Sequence, residues 1–174
     1  PAGGDLGLIH VTAIAEAATD DSETLEALFL DLRARVEAAH GEVVQEKLFV
    51  SQSGADAVLA ARTGAGAAVV PPTVVVAEPV VGGLLAGVQL LVATQGRCET
   101  IHDGPQPVGR LWERDGLRML ALAGIHGPVD RPVPEQMEAM FARAGELVEA
   151  NGFEFQQVAR TWIYVAPLLE FYDD

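Results

Sequence analysis

The sequence is poor in the residues that mark several large classes of protein. Its single cysteine, Cys98, excludes an internal disulfide framework and a zinc site built from several thiolates, which favours a reducing, cytoplasmic compartment. Lysine and arginine number only 11 against 25 aspartates and glutamates, giving a net charge of −14. That charge would repel phosphate backbones and anionic membrane surfaces. We therefore expect neither nucleic acid nor a membrane as a partner.

The sequence also lacks an uninterrupted apolar run of membrane-spanning length. Its most apolar region, residues 69–94, is divided by Pro71-Pro72, Pro79 and Gly82-Gly83 into strand-length pieces. No basic segment followed by an apolar run opens the sequence, so no signal peptide is predicted. With 174 residues, 49% of them hydrophobic, the chain can fill the core of one large domain or two small ones.

Two stretches of the chain, residues 24–50 and 134–165, repeat a helix pattern followed by a strand pattern. The apolar positions with shared offsets are Leu25, Leu28, Phe29, Leu32 and Val36 in the first stretch and Met137, Met140, Phe141, Ala144 and Val148 in the second. Each helix pattern is followed by a glycine turn, at Gly41 and Gly152, and then by the strand. An internal repeat of this length predicts a duplicated supersecondary unit, and hence an α+β fold of two units, each a β-sheet covered by helices.

The remaining patterns place elements around this repeat. Residues 6–15 predict a strand inside a covered sheet rather than at its edge, and strands are also predicted over residues 43–51, 73–77 and 84–93. Asp20, Asp21 and Ser22 are residue types that cap the start of helices, so they predict that the first helix begins there. An Asp-Gly pair at 115–116 between two apolar runs predicts a hairpin.

These elements predict a first unit over residues 1–96, a linker over 97–108 and a second unit over 109–174. The first unit continues beyond its return strand into two further strands, for which the second unit shows no counterpart. We expect a shortened second unit that lacks its C-terminal strands. The alternative is that a neighbouring chain adds strands to its open edge.

The second unit resembles the Rid family, also called YjgF. The matching pieces are residues 122–127, 136–152 and 158–165, and the tail at 171–174. Arg160-Thr161-Trp162-Ile163-Tyr164 followed by that tail is similar to the tandem-unit branch that contains the chorismatases. The resemblance implies a chorismate-mutase-like fold, in which sheets of three units form a central barrel with ligand clefts between units. It also implies a homo-oligomer, a trimer, that acts on small carboxylates without a metal or an organic cofactor.

One departure from the Rid pattern leaves the chemistry open. Rid deaminases carry an arginine just after a proline on the first strand following the connection, where the guanidinium grips the substrate carboxylate. The corresponding place here, residues 70–73, reads Val-Pro-Pro-Thr. No catalytic residue is therefore assigned.

Strand alternation over residues 156–165 selects the candidate ligand-binding residues. It places Arg160, Trp162 and Tyr164 on one face, where the arginine would bind a carboxylate and the aromatic rings would form apolar walls. The alternative is an arginine paired with an acidic neighbour beside two packed aromatic side chains.

Three further candidates belong to the hairpin. Arg110 lies where the resembled families line their cleft, although surface solvation explains it equally well. Gly124 would let a ligand approach the backbone, and His126 could exchange protons near neutral pH, or serve as a loop histidine with a structural role. The other histidines have no spacing that indicates a metal site.

Together these features predict a Rid-like protein that binds a small carboxylate in a cleft between units. Its enzymatic form would hydrolyse an enamine, an imine or a chorismate-type enol ether. The alternative is a non-catalytic ligand-sensing or assembly protein of the same fold.

Overall fold

A computed structural model of the chain describes residues 6–15, 21–66, 70–76 and 83–163. These residues form two β-sheets, three α-helices and one short 3₁₀ turn. In chain order the elements are β1 Leu8–Ile14, α1 Ser22–Ala38, β2 Glu42–Val50, α2 Ala55–Gly64, β3 Thr73–Val76, β4 Leu85–Ala93, β5 Arg97–Asp103, β6 Gln106–Arg114, β7 Leu117–Leu122, α3 Val133–Ala150 and the 3₁₀ turn Phe155–Gln157.

The first sheet has the strand order β1-β4-β2-β3. Its pairs are antiparallel except for β2 and β3, which run parallel. Within the described ranges β1 pairs with β4 alone, so the interior position predicted for this strand is wrong. The side chain of Ile14 at its end is 79% exposed. The apolar pattern of a strand indicates which of its side chains are buried. Whether the strand lies at the edge or in the centre of a sheet depends on its backbone pairing, which the pattern does not indicate.

Helices α1 and α2 cover one face of the first sheet. Asp21 caps α1 by accepting a 2.7 Å hydrogen bond from the backbone N–H of Thr24. Four of the five residues in the predicted apolar stripe of α1 are buried and Leu28 is partly buried, with Leu25 and Phe29 almost completely inaccessible. This stripe packs on Leu48 and the other helix-facing residues of the sheet in one large core cluster.

The second sheet has the order β5-β6-β7, and its β6–β7 hairpin confirms the turn predicted at the Asp-Gly pair. Asp115 and Gly116 have φ values of 51° and 79°, the positive values that a tight two-residue hairpin turn of this kind requires. Residues 97–108, predicted as a linker, instead form β5 and the start of β6. The prediction missed β5 because Arg97, Glu99 and His102 are polar, exposed side chains on a strand that is held by backbone pairing. The division into two units remains a prediction.

The two sheets meet where the indole of Trp112 on β6 packs against Val44 and Ala93. The Trp112 Nε1–H donates a 2.7 Å hydrogen bond to the carbonyl oxygen of Gln95, so the buried ring has no orphan donor. An apolar contact that includes Trp112 therefore joins the two sheets.

The strand predicted over residues 156–165 does not form in the described part of the chain. The backbone makes the 3₁₀ turn and then continues to Ile163 without pairing with another strand. Residues 164 and 165 lie outside the described ranges. A sequence with high β-propensity forms a strand only where the edge of a neighbouring strand is available for backbone hydrogen bonds. The stripe on α3 is correspondingly less buried than that on α1, since only Leu147 and Val148 of this helix are fully buried.

Candidate functional site

A polar row crosses the face of the first sheet that points away from α1 and α2. In the strand register Thr12 pairs with Gln89, Gln89 with Lys47 and Lys47 with Thr73. Residues paired in register project from the same face, and the next residue along β2, Leu48, is buried under the helices. The row therefore lies on the opposite face, which we call the open face, and Thr12 and Gln89 are exposed there.

Lys47, the only lysine in the sequence, lies in this row beneath the C-terminal segment. Its Nζ is 3.9 Å from the centroid of the Trp162 ring, and the guanidinium carbon of Arg160 is 5.1 Å from the same centroid. Burial, followed by the positive charge of Arg160, lowers the pKa of Lys47. Within the described ranges neither cation forms an ion pair with a carboxylate. We call these three residues the cation–Trp cluster.

The cation–Trp cluster presents two positive charges beside one aromatic face. Trp162 is 54% exposed, so its ring can still be contacted by a ligand. Cation–π contact holds each charge near the ring but satisfies none of the N–H donors. The arrangement can therefore accept an anionic group of a ligand that also carries an apolar body.

The structure brings Arg160 and Trp162 together, although not by the strand alternation from which they were predicted. Tyr164 lies outside the described residues. Lys47 was not among the residues predicted from the sequence. A lone lysine on a predicted strand is the sequence feature that could have drawn attention to it.

Arg110 has a different position, in the interior between the two sheets. It is 8% exposed, and it donates hydrogen bonds to Glu42 Oε2 at 3.2 Å, to Thr100 Oγ1 at 3.0 Å and to the Val43 carbonyl at 3.2 Å. All three guanidinium nitrogens are thus used within the protein, so the alternative of a solvated surface arginine is wrong. Arg110 ties β6 to the start of β2.

Arg110 also lines a pocket of about 220 Å³ between α1 and the first sheet. Three arginine–glutamate pairs surround the pocket: Arg33–Glu37 at 2.8 Å, Arg62–Glu46 at 2.5 Å and Arg110–Glu42 at 3.2 Å. The remaining walls are mainly apolar and include Phe29, Leu32, Val36, Val70 and Leu90. We call this the arginine–glutamate pocket.

Gly124 and His126 follow the second hairpin strand. Gly124 has a φ of 70°, and a Cβ there would lie 3.4 Å from the ring of Pro71, so the neighbour that approaches this glycine is the chain's own proline. The exposed His126 ring has Nδ1 2.9 Å from the carbonyl oxygen of Gly127. In the described part of the chain, no hydrogen bond or ring contact joins either residue to Arg160.

Three further observations concern cofactors and membranes. Over the described ranges, no group of three histidine, cysteine, aspartate or glutamate side chains is placed to hold a metal ion. Cys98 is partly buried, and this burial, with the nearby charge of Glu42, raises the pKa of its thiol and weakens it as a nucleophile. No described helix has both the length and the apolar content needed to cross a membrane.

Comparison with known proteins gives one structural likeness. No protein-family model matches the sequence, and no curated protein matches it. The crystal structure of a chorismatase is similar, with a TM-score of 0.61 and 13% sequence identity. The likeness covers 86% of this chain and 58% of that one, so the chain corresponds to little more than half of the chorismatase. The chain therefore has an α+β, chorismatase-like fold, while membership of the Rid family remains a prediction from the residues.

Proposed function

We propose that the chain binds a small carboxylate on the open face of the first sheet, at the cation–Trp cluster. The observation that carries the proposal is the placement of the Lys47 ammonium and the Arg160 guanidinium around one Trp162 ring, without a carboxylate partner among the described residues. A bound carboxylate would supply charge-assisted hydrogen bonds to both cations. It would also relieve their mutual repulsion, which contributes to the lowered pKa of Lys47.

A cyclic dicarboxylate of the chorismate type is the ligand class that fits best. Two cations match two negative charges, and a ring can lie against the exposed part of the indole. The overall charge of −14 disfavours large polyanions, which would meet repulsion away from the cluster. The chorismatase-like fold supports testing chorismate first.

The proposal has an enzymatic form and a non-catalytic form. In the enzymatic form a bound chorismate-type enol ether, or an enamine or imine, would be hydrolysed. In the alternative the chain senses the ligand or takes part in an assembly. We also retain a homo-oligomer, a trimer, as a proposal, and the partly exposed apolar stripe of α3 supports an assembly of some kind.

Isothermal titration with chorismate tests the site. We expect saturable binding to the unaltered chain and a weakening of about tenfold or more in both Lys47→Met and Arg160→Gln, because each removes a hydrogen-bonded charge worth roughly 1.5–3 kcal/mol. Arg97→Gln is the matched control, since this arginine is exposed and, among the described residues, forms an ion pair only with Glu99 at the surface. Absence of saturable binding, or equal affinity in all variants, would disprove the proposed site.

Mass spectrometry of chorismate and a panel of imino acids after incubation then distinguishes the two forms. A hydrolysis product that is lost with Arg160→Gln establishes the enzymatic form. Binding without any product establishes the ligand-sensing form.

A further inference from the structure

We infer that the arginine–glutamate pocket is a second ligand site, which takes a free α-amino acid with an apolar side chain in its zwitterionic form. This inference is independent of the proposed carboxylate site, because the pocket lies on the helix-covered side of the first sheet. The inference rests on the least exposed polar pair in the pocket.

Arg62 and Glu46 form this pair, and they are only 6% and 5% exposed. Arg62 donates to one carboxylate oxygen twice, from Nε at 2.8 Å and from Nη2 at 2.5 Å to Glu46 Oε2. Its Nη2 also donates to the carbonyl of Val70 at 2.7 Å. The pair therefore uses three hydrogen bonds but only two nitrogens and one carboxylate oxygen.

The other two atoms, Arg62 Nη1 and Glu46 Oε1, have no hydrogen-bond partner within the described ranges. In those ranges no fully buried side-chain nitrogen or oxygen lacks a partner, so these two atoms reach accessible space. Both residues line the pocket. A charged donor and a charged acceptor are thus available in one pocket at nearly buried positions.

An α-amino acid complements this pair. Its carboxylate can accept from Arg62 Nη1, and its ammonium can donate to Glu46 Oε1. An apolar side chain would then contact the hydrophobic wall formed by Phe29, Leu32 and Leu90.

Charge and size support the same class of ligand. The pocket contains three arginines and three glutamates, so a ligand without net charge leaves the balance unchanged, whereas an anion or a cation disturbs it. The volume of about 220 Å³ is below the ~300–1,000 Å³ of sites for drug-sized molecules and suits a single amino acid. The Arg33–Glu37 pair, with side chains 50% and 63% exposed, marks the solvent side of the pocket.

The test uses the unaltered chain with ¹³C-labelled methyl groups, observed by NMR during titration with L-leucine. We expect saturable shifts of the methyl groups of Leu32, Val36 and Leu90. The matched ligands are 4-methylpentanoate, which lacks the ammonium, and 3-methylbutylamine, which lacks the carboxylate. Each should bind about tenfold more weakly or worse, because one nearly buried charge loses its partner. No shift of these methyl groups with leucine, or equal affinity for 4-methylpentanoate, would overturn the inference.

A variant adds a second readout. Arg62→Lys keeps a positive charge beside Glu46 but removes the Nη1 donor, so leucine should bind about tenfold more weakly or worse while the methyl spectrum of Val44 in the sheet–sheet contact is unchanged. Arg35→Lys is the control, because that arginine lies on the exposed side of α1. Leucine affinity equal to that of the unaltered chain in a folded Arg62→Lys variant would also overturn the inference. If the variant does not fold, the comparison of the three ligands decides.

Discussion

Removal of the Arg62 side chain should destabilise the fold strongly, because it leaves a carboxylate almost buried without its partner. In the native chain Glu46 is 5% exposed and receives two hydrogen bonds from Arg62. Breaking one side of such a pair costs about 3–5 kcal/mol. For a domain of this size each kcal/mol lowers the melting temperature by roughly 2–4 °C, so Arg62→Met should lower it by about 6–20 °C.

The double variant Arg62→Met/Glu46→Met separates the cost of an unpaired charge from the value of the pair. Two apolar side chains of similar length would pack beside the apolar pocket walls, and replacing a complete buried pair is often neutral or stabilising. We therefore expect the double variant to be more stable than Arg62→Met alone.

Urea unfolding followed by circular dichroism measures these differences. Arg35→Met is the control, since Arg35 and its partner Asp31 have side chains 68% and 60% exposed, and its unfolding midpoint should not change measurably. The reasoning is refuted if Arg62→Met unfolds at the same urea concentration as this control, or if the double variant is no more stable than the single one.

Two further predictions concern a close backbone approach and the pH dependence of stability. Gly127→Ala should destabilise the fold, because the added Cβ would lie 2.2 Å from a backbone oxygen of α3. Gly145→Ala has open space around the added methyl and should stabilise α3 by roughly 0.8–1.0 kcal/mol. Equal melting temperatures of the two variants would contradict this prediction. Hydrogen bonds from Arg143 hold the pKa of Asp103 below its usual 3.8, so its stabilising contribution is present above the unfolded-state pKa and is lost as pH falls through the folded-state pKa. The stability advantage over Asp103→Asn should therefore narrow as the pH falls below the usual aspartate pKa of 3.8 and through the lower folded-state pKa. Urea midpoints of the two proteins that keep a constant gap over this fall in pH would contradict the prediction.

The elements that could be predicted were those specified by short stretches of sequence. The α1 stripe, its Asp21 cap and the Asp-Gly hairpin each depend on residues a few positions apart, and each was found. The strand over residues 156–165 was predicted from the repeated helix-and-strand pattern and did not form in the described part, because a strand also needs a partner edge. The prediction of a linker over residues 97–108 was wrong for the converse reason. The side chains of β5 are mostly polar, but its backbone pairs with β6.

The candidate site was only partly accessible to sequence reasoning. Arg160 and Trp162 were identified as a cation beside an aromatic wall, and the structure adds Lys47 from a strand far earlier in the chain. Arg110 was assigned to the same site but belongs to the interior contact with Glu42. Residue type and alternation indicate what a side chain can bind, but not which distant side chain it will meet.

The sequence by itself determined α1, α3, the hairpin and the absence of a disulfide framework, because these follow from local periodicity, capping and composition. Only the tertiary structure decided the strand order β1-β4-β2-β3, the Arg62–Glu46 pair and the contact of Lys47 with Trp162. Each of these joins residues that are separated along the chain, and their meeting is fixed by the burial of apolar faces across the whole fold. The local sequence determines which face of each helix or strand is apolar, whereas the packing of those faces determines which polar groups become neighbours.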